Sequence, residues 1–302
     1  SEFQKIPVRH NEDIYNECLC NNLPLKPENT DFSSPHVKVF LLLEAYIGRI
    51  ELPIKDYYTD TKSVLDQALR IIQAMIDVCT YKSYLKSTLQ CILLLQSIIQ
   101  ACWWHRSSLY TIPSMDMNLY TIFTNPEINY KNQEIHCLGE LVNMVEPTFS
   151  LFKKFIYNYR NTQTANTILD FIKRLPDISL SWCLLAGNNK IIANSKDFLY
   201  PKNISSVNDY IKCPTDIDLK IIVYLTSKCI ENNKILISSK IGKQVDVSWV
   251  IIIGEKDTQK LITLKRISPI RINSKTSLFI GKWNEHNIGN RHIFTLYFMS
   301  EC

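Results

Sequence analysis

The sequence predicts a multidomain α+β chain in three parts: a helical bundle over residues 1–106, a small helix-loop-helix domain over 107–175, and an immunoglobulin/fibronectin-like β-sandwich over 176–302. Three observations predict it. Up to Arg174, apolar residues recur every three or four positions, the period of a half-buried helix. At Pro176 the period drops to two, the alternation of a strand with one buried face. A turn-rich break from Ser107 to Pro113 divides the helical half.

The helices follow in order. Asn11, with Glu12 and Asp13 behind it, caps a short helix through Cys20. Ser34-Pro35 opens a second that runs to about Arg49. Glu51 to Thr59 contains Pro53 and reads as a connector, after which Asp60 caps a long helix ending near Cys79. Its apolar face carries Leu65, Leu69, Ile72, Met75, Ile76 and Cys79, and its polar face Ser63, Asp66, Gln67, Arg70, Gln73 and Asp77. A fourth helix spans about Ser83 to Trp104, completing a bundle. Shorter helices are expected at Asp116–Phe123, Glu134–Val145, Pro147–Tyr159 and Thr164–Arg174.

The strands begin at Ile178–Leu184 and Ile217–Leu225. Further runs are Lys234–Ser239, Ser248–Ile253, Lys260–Ile267, Lys275–Gly281 and His292–Met299. About seven strands in this span suit a sandwich.

Composition narrows the function. Hydrophobic residues at 46% and charged residues at 21% describe a folded chain, not a disordered one. No apolar run approaches the roughly 18–20 residues of a membrane span, and the amino terminus does not read as a signal peptide. The ten cysteines include no Cys-x-x-Cys pair and are expected to be buried, reduced thiols, with Cys79 and Cys91 unreactive until unfolding. No metal or cofactor is expected, and the nucleus or cytoplasm is the expected location. Net charge is +5, unevenly placed. Residues 1–174 hold 17 Lys+Arg against 18 Asp+Glu, and the remainder 17 against 11. A general nucleic-acid binder shows a stronger bias.

No catalytic set emerges. Lys243 and Lys282 follow glycines, but no glycine stands five residues earlier to make a phosphate loop. The six histidines are scattered, and helicase, hydrolase-elbow and zinc-protease strings are absent. The chain is therefore expected to lack enzymatic activity of its own.

Four strings carry a family resemblance: Ile6-Pro-Val-Arg-His-Asn-Glu-Asp13, Ser34-Pro-His-Val-Lys-Val-Phe-Leu-Leu-Leu-Glu-Ala45, Asp60 to Val78, and Thr295-Leu-Tyr-Phe-Met-Ser-Glu-Cys302. Trp249 and Gly254, with Leu261-Ile-Thr-Leu-Lys-Arg266, add a tryptophan–glycine–lysine strand pair. Together they resemble the carboxy-terminal homology unit of large Ski-two-like tandem-cassette RNA helicases, shared with the endoplasmic-reticulum translocation protein Sec sixty-three. Arg9-His10, Asp60-Thr61-Lys62 and Asp66 to Arg70 look closer to the helicase of the activating-signal-cointegrator complex than to the spliceosomal Brr-two type.

The resemblance implies a non-catalytic accessory unit that braces a helicase core and docks proteins. Its partners would be the rest of the parent helicase and regulatory proteins of a ribonucleoprotein or cointegrator complex, with no membrane. The alternatives it implies are a strand-gripping unit of an active motor and a translocation scaffold. In active family members the long helix is a ratchet that touches the unwound strand, which makes Ser63, Gln67, Arg70 and Gln73 the candidates for weak single-stranded RNA contact. Lys265 and Arg266, on the more basic sandwich, are the protein-docking candidates.

Overall fold

The structure, a computed structural model, describes residues 6–129, 131–175, 178–187, 189–195, 213, 217–227, 235–236, 245–246, 248–267, 273–283 and 292–301. Among these it forms the mixed α+β architecture expected, with eight α-helices, two larger antiparallel sheets and a two-stranded antiparallel pair. The bundle consists of α1 (Glu12–Asn22), α2 (Pro35–Gly48), α3 (Lys55–Tyr81) and α4 (Leu85–Gln100). Leu41, Leu42 and Ala45 of α2 pack on Leu19 of α1 and on Tyr57 and Val64 of α3. The second half of α3 packs along α4 through Ile72, Ile76, Ile92 and Leu95.

A lysine sits at the centre of the first core. Lys38 interrupts an apolar run on α2, and its side chain has 0% exposure. Its ammonium lies 2.6 Å from Glu12 Oε2, 2.7 Å from Asp60 Oδ2 and 2.8 Å from the Pro7 carbonyl. Arg9 closes the network from outside, donating to Glu12 Oε1 and Asp60 Oδ2 at 2.7 Å each. The Tyr57 ring lies 4.9 Å from the Lys38 nitrogen, and its hydroxyl donates to Asn16 Oδ1 at 2.6 Å. Burial pushes the carboxyls of Glu12 and Asp60 up, but hydrogen bonds from Lys38 and Arg9 more than reverse this and hold both below the ordinary range.

This network corrects the expected start of the long helix. Asp60 caps nothing: α3 begins five residues earlier at Lys55, and the carboxylate turns inward to Lys38. Asn11 precedes α1 in a left-handed conformation, without a side-chain cap. Glu12 instead reaches back to the Arg9 backbone N–H at 2.7 Å. Two further positions differ. Met75 is 45% exposed, not inward, and Leu69 is half-buried. The fourth helix stops at Gln100 because Ala101 turns left-handed, and Arg49 donates to the Ala101 and Tyr110 carbonyls. Trp103 and Trp104 therefore lie beyond the helix, their rings edge-on at 5.2 Å.

The small domain packs α5 (Met117–Thr124), α6 (Leu138–Val145), α7 (Phe149–Tyr159) and α8 (Thr162–Arg174) around Phe123, Phe152, Ile156 and Ile168. Asp116 caps α5 by accepting from the Leu119 N–H, and Asn161 caps α8 by accepting from the Thr164 N–H. The second helix of this set, α6, was expected from Glu134 but starts at Leu138; Glu140 seals its first turn by accepting from the His136 and Cys137 N–H groups.

The sandwich has strands β1 (Ile178–Ala186), β2 (Lys190–Asn194), β3 (Ile217–Ser227), β4 (Ile235–Leu236), β5 (Val245–Asp246), β6 (Trp249–Glu255), β7 (Leu261–Ile267), β8 (Asn273–Trp283) and β9 (Phe294–Ser300). One sheet runs β2-β1-β3-β8, the other β7-β6-β9, and β4 pairs with β5. Strand β2 was not expected. Of the run 234–239 only Ile235–Leu236 is described, and the thiols of Cys229 and Cys302 lie outside the described residues.

Strand β6 is buried on both sides. Ile251 and Ile253 enter the sandwich core beside Val223, Leu225 and Leu278. Val250 and Ile252 join Ile72, Ile76 and Leu95 of the bundle. Its neighbours add Leu261, Leu264, Tyr297 and Met299 to the bundle side. One backbone bond and one side-chain bond fasten the seam: the Leu261 N–H donates to the Ser83 carbonyl at 2.9 Å, and Gln96 Nε2 to the Ser300 carbonyl at 2.6 Å. Gly254 is required here, since a Cβ would stand 2.4 Å from Leu85 Cδ2.

Two outcomes follow. Replacing Lys38 with Met should cost about 3–5 kcal/mol in denaturant titration, because it strands two buried carboxylates with only Arg9 to compensate them. In the native protein, folded-state pKa values below the unfolded ones mean that the network's contribution is complete above the unfolded carboxylate range near pH ~4 and is lost as pH falls through the lowered folded values. Thermal melts across acid pH should therefore fall faster for the native protein than for the Lys38→Met variant. Thiol labelling should proceed at exposed Cys18 in the native state, while buried Cys91 and Cys102, whose thiols burial pushes up, should label only on unfolding.

Candidate interaction surfaces

The polar stripe of α3 is set by the same packing that buries its other face. Val64, Leu65, Ala68, Ile72 and Ile76 turn inward, which leaves Ser63, Arg70 and Gln73 exposed and Gln67 half-buried. These four expected RNA-contact candidates lie along one side of the helix, at spacings of four, three and three residues. The Ser63 hydroxyl reaches its own helix, 3.5 Å from the Thr59 carbonyl. Gln67 Oε1 is buried with no hydrogen-bond partner, an unmet acceptor on the inner margin of the stripe. Asp66 and Asp77 lie on the same side of the helix as Arg70, and Asp77 is paired with Arg266 of the sandwich.

At its carboxy-terminal end the stripe meets the sandwich. Arg266 of β7 donates to Asp77 Oδ1 at 2.7 Å and to Glu301 Oε1 at 2.9 Å, and Ser248 Oγ holds the other oxygen of Glu301 at 2.5 Å. Burial lowers the pKa of the Arg266 guanidinium, and the two carboxylates more than restore it, leaving it raised. Lys265 points the other way. It is exposed, and its ammonium lies 3.4 Å from the Ser277 carbonyl on the free edge of β8. The two docking candidates are thus separated: Arg266 clasps the bundle, and Lys265 rims the four-stranded sheet.

Between the three parts lies a cleft of about 550 Å³, walled by Trp103, Trp104, Phe171, Leu175 and Trp249, with Arg106 among its lining residues. Trp103 is half-buried against the bundle core, while Trp104 is 56% exposed. Among the described residues no three His, Cys, Asp or Glu side chains could hold a metal ion, and no helix is long and apolar enough to cross a membrane.

The sequence reading missed the Arg9–Glu12–Lys38–Asp60 network and the Asp77 and Glu301 partners of Arg266. One signal was available. A lone lysine inside the apolar run from Val37 to Leu43 needs a buried counter-charge.

The family profile described as the Sec63 Brl domain matches residues 1–301. The chain belongs to the Sec63 Brl domain family. Activating signal cointegrator 1 complex subunit 3 of Bos taurus is 33% identical over 324 residues, which cover 100% of this chain and 14% of the relative. DExH-box ATP-dependent RNA helicase DExH14 of Arabidopsis thaliana is 32% identical over 270 residues, covering 89% of this chain and 11% of the relative. RQC trigger complex helicase SLH1 of Saccharomyces cerevisiae is 29% identical over 221 residues, 68% of this chain and 11% of the relative. The chain thus spans about 14% of the length of the first of these relatives. The family expected from the four strings is the family found, and the Sec63 Brl unit here keeps three of those strings together in space: they supply Arg9 and Glu12, Lys38, and Asp60.

The Arg266 clasp has a measurable worth. Arg266→Ala leaves the largely buried Glu301 carboxylate with Ser248 alone, which should destabilise the protein by about 1–3 kcal/mol. Hydrogen exchange should quicken in the last turns of α3 and in β7, with the α1–α2 core unchanged; no change at that seam would mean the clasp carries no load.

Proposed function

We propose that this chain serves as a non-catalytic accessory unit of a large RNA helicase, bracing the helicase core and docking partner proteins. The rest of such a helicase would be its first partner, and regulatory proteins of a ribonucleoprotein or cointegrator complex the others. The observation that carries the reading is the shared core at β6, which ties the bundle and the sandwich into one body. A brace has to transmit force without flexing, and a strand buried on both faces allows little relative motion. The charged groups support the same reading, since Arg9, Glu12, Lys38, Asp60, Asp77, Arg266 and Glu301 are engaged with one another.

One observation favours a second reading, in which α3 grips a single strand. Ser63, Arg70 and Gln73 are solvent-exposed along one face of a 27-residue helix. The acidic neighbours Asp66 and Asp77 weigh against phosphate tracking there.

The chain alone should show no ATP hydrolysis above background; turnover that survives further purification would overturn both readings. Fluorescent single-stranded RNA, titrated at low and moderate salt, should bind weakly or not at all. Tight, salt-sensitive binding that the Gln67→Ala/Arg70→Ala double variant abolishes would reverse the order of the two readings.

A further inference from the structure

The two sheets of the sandwich differ in what covers their outer faces. The β7-β6-β9 sheet is sealed by α3 and α4, whereas the outer face of β2-β1-β3-β8 carries large apolar side chains in the open. Register places them. Ile191 stands opposite Leu185, Leu185 opposite Lys220, and Lys220 opposite Phe279, one rung across all four strands in which Leu185 is buried and the other three are exposed. Two residues further along β3, Ile222 faces Ser277, and two beyond that Tyr224 faces Lys275. Phe279 is 55% exposed, Ile191 59% and Tyr224 39%, on strands whose alternate residues Val223, Leu225 and Leu278 are fully inside.

The charges on this face have one dominant sign. Lys220, Lys275 and Lys282 belong to it, and Lys265 reaches its β8 edge; among the described residues only Asp218, opposite Lys282, opposes them. The Lys275 ammonium sits 5.7 Å from the Tyr224 ring centroid, so it lies against the apolar row and not away from it. An aromatic and aliphatic centre with a rim of one charge is the anatomy of a protein-docking patch. We propose that the outer face of the β2-β1-β3-β8 sheet docks an acidic protein segment with apolar anchors, seating them on Phe279, Ile222 and Tyr224 while its carboxylates meet Lys220, Lys275 and Lys265.

This deepens the docking half of the function proposed above and rests on it. A polypeptide fits better than a nucleic acid for a stated reason. Ile191 and Ile222 offer no ring to stack on, and they would leave the polar edges of a base without partners, whereas leucine and phenylalanine side chains lose nothing there. It also explains the parting of the two adjacent basic residues on β7: Arg266 is consumed by the bundle, and Lys265 is left to the docking face.

The test uses the whole chain and a fluorescein-labelled synthetic peptide alternating glutamate with leucine and phenylalanine, read by anisotropy. Phe279→Ser and Lys275→Glu should each weaken binding about tenfold, while Lys86→Glu, an exposed change on α4, should alter it less than about twofold. Melting curves equal to those of the native protein establish that the variants are folded, as expected for exposed positions. Three outcomes overturn the proposal. Failure of the peptide to bind saturably removes its chemistry. Binding that both face variants leave intact places the occupant elsewhere, while docking as a function survives. Tighter binding of labelled oligouridine, lost on Phe279→Ser, would make the face a nucleic-acid platform.

Discussion

Lys38 brings a full positive charge into a site with no exposed surface, and the amino-terminal half of the molecule is arranged around compensating it. An isolated ammonium in such a place is far too costly to persist. The compensation comes from three groups on two separate segments: the carbonyl of Pro7 and the carboxylate of Glu12 before and at the start of α1, and Asp60 from the second turn of α3. Because the geometry must satisfy all three at once, the angle between α1, α2 and α3 is fixed by hydrogen bonds as well as by packing. Arg9 then shields the two carboxylates from water on the one open side. The network sets where α3 starts, and hence which residues of that helix turn outward.

From α3 the constraint passes to the sandwich. The inward row ending at Ile72 and Ile76 is completed by Val250 and Ile252 of β6, so the bundle's core is finished by a strand far later in the chain. Gly254 allows the approach and Arg266 latches its margin against Asp77. The three-stranded sheet thereby loses its outward face to the helices, and the four-stranded sheet is left to meet whatever the molecule meets.

The class of fold and the order of its parts were legible because period alone distinguishes a helix from a strand. Ser34-Pro35 marked the start of α2, and the alternation from Ile217 to Leu225 marked β3, through local chemistry that no distant contact overrides. What escaped was whatever depended on partners far along the chain. Asp60 has the residue type of a cap, and only the position of Lys38 reveals it as a counter-ion. Met75 has the spacing of a core residue, yet α4 and the sheet do not reach it. Trp103 and Trp104 continue an apolar run, but Arg49, fifty residues earlier, draws the Ala101 carbonyl out of the helix. At the interaction surfaces, the stripe from Ser63 to Gln73 followed from periodicity, whereas the parting of Lys265 from Arg266 required knowing that β7 borders the bundle on one side and β8 on the other.

The double-sided burial of β6 also bears on how the molecule is made. A ribosome delivers α3 and α4 long before it delivers β6 and β9, at roughly 5–20 residues per second. For something like 10–40 s, by that rate, the row of Ile72, Ile76 and Leu95 waits uncovered, and nothing yet synthesised can close it. The nascent bundle is therefore a client for whatever shields apolar surface at the tunnel exit. Its assembly is decided when β6 and β9 have been made and reach back to helices that have been waiting for them.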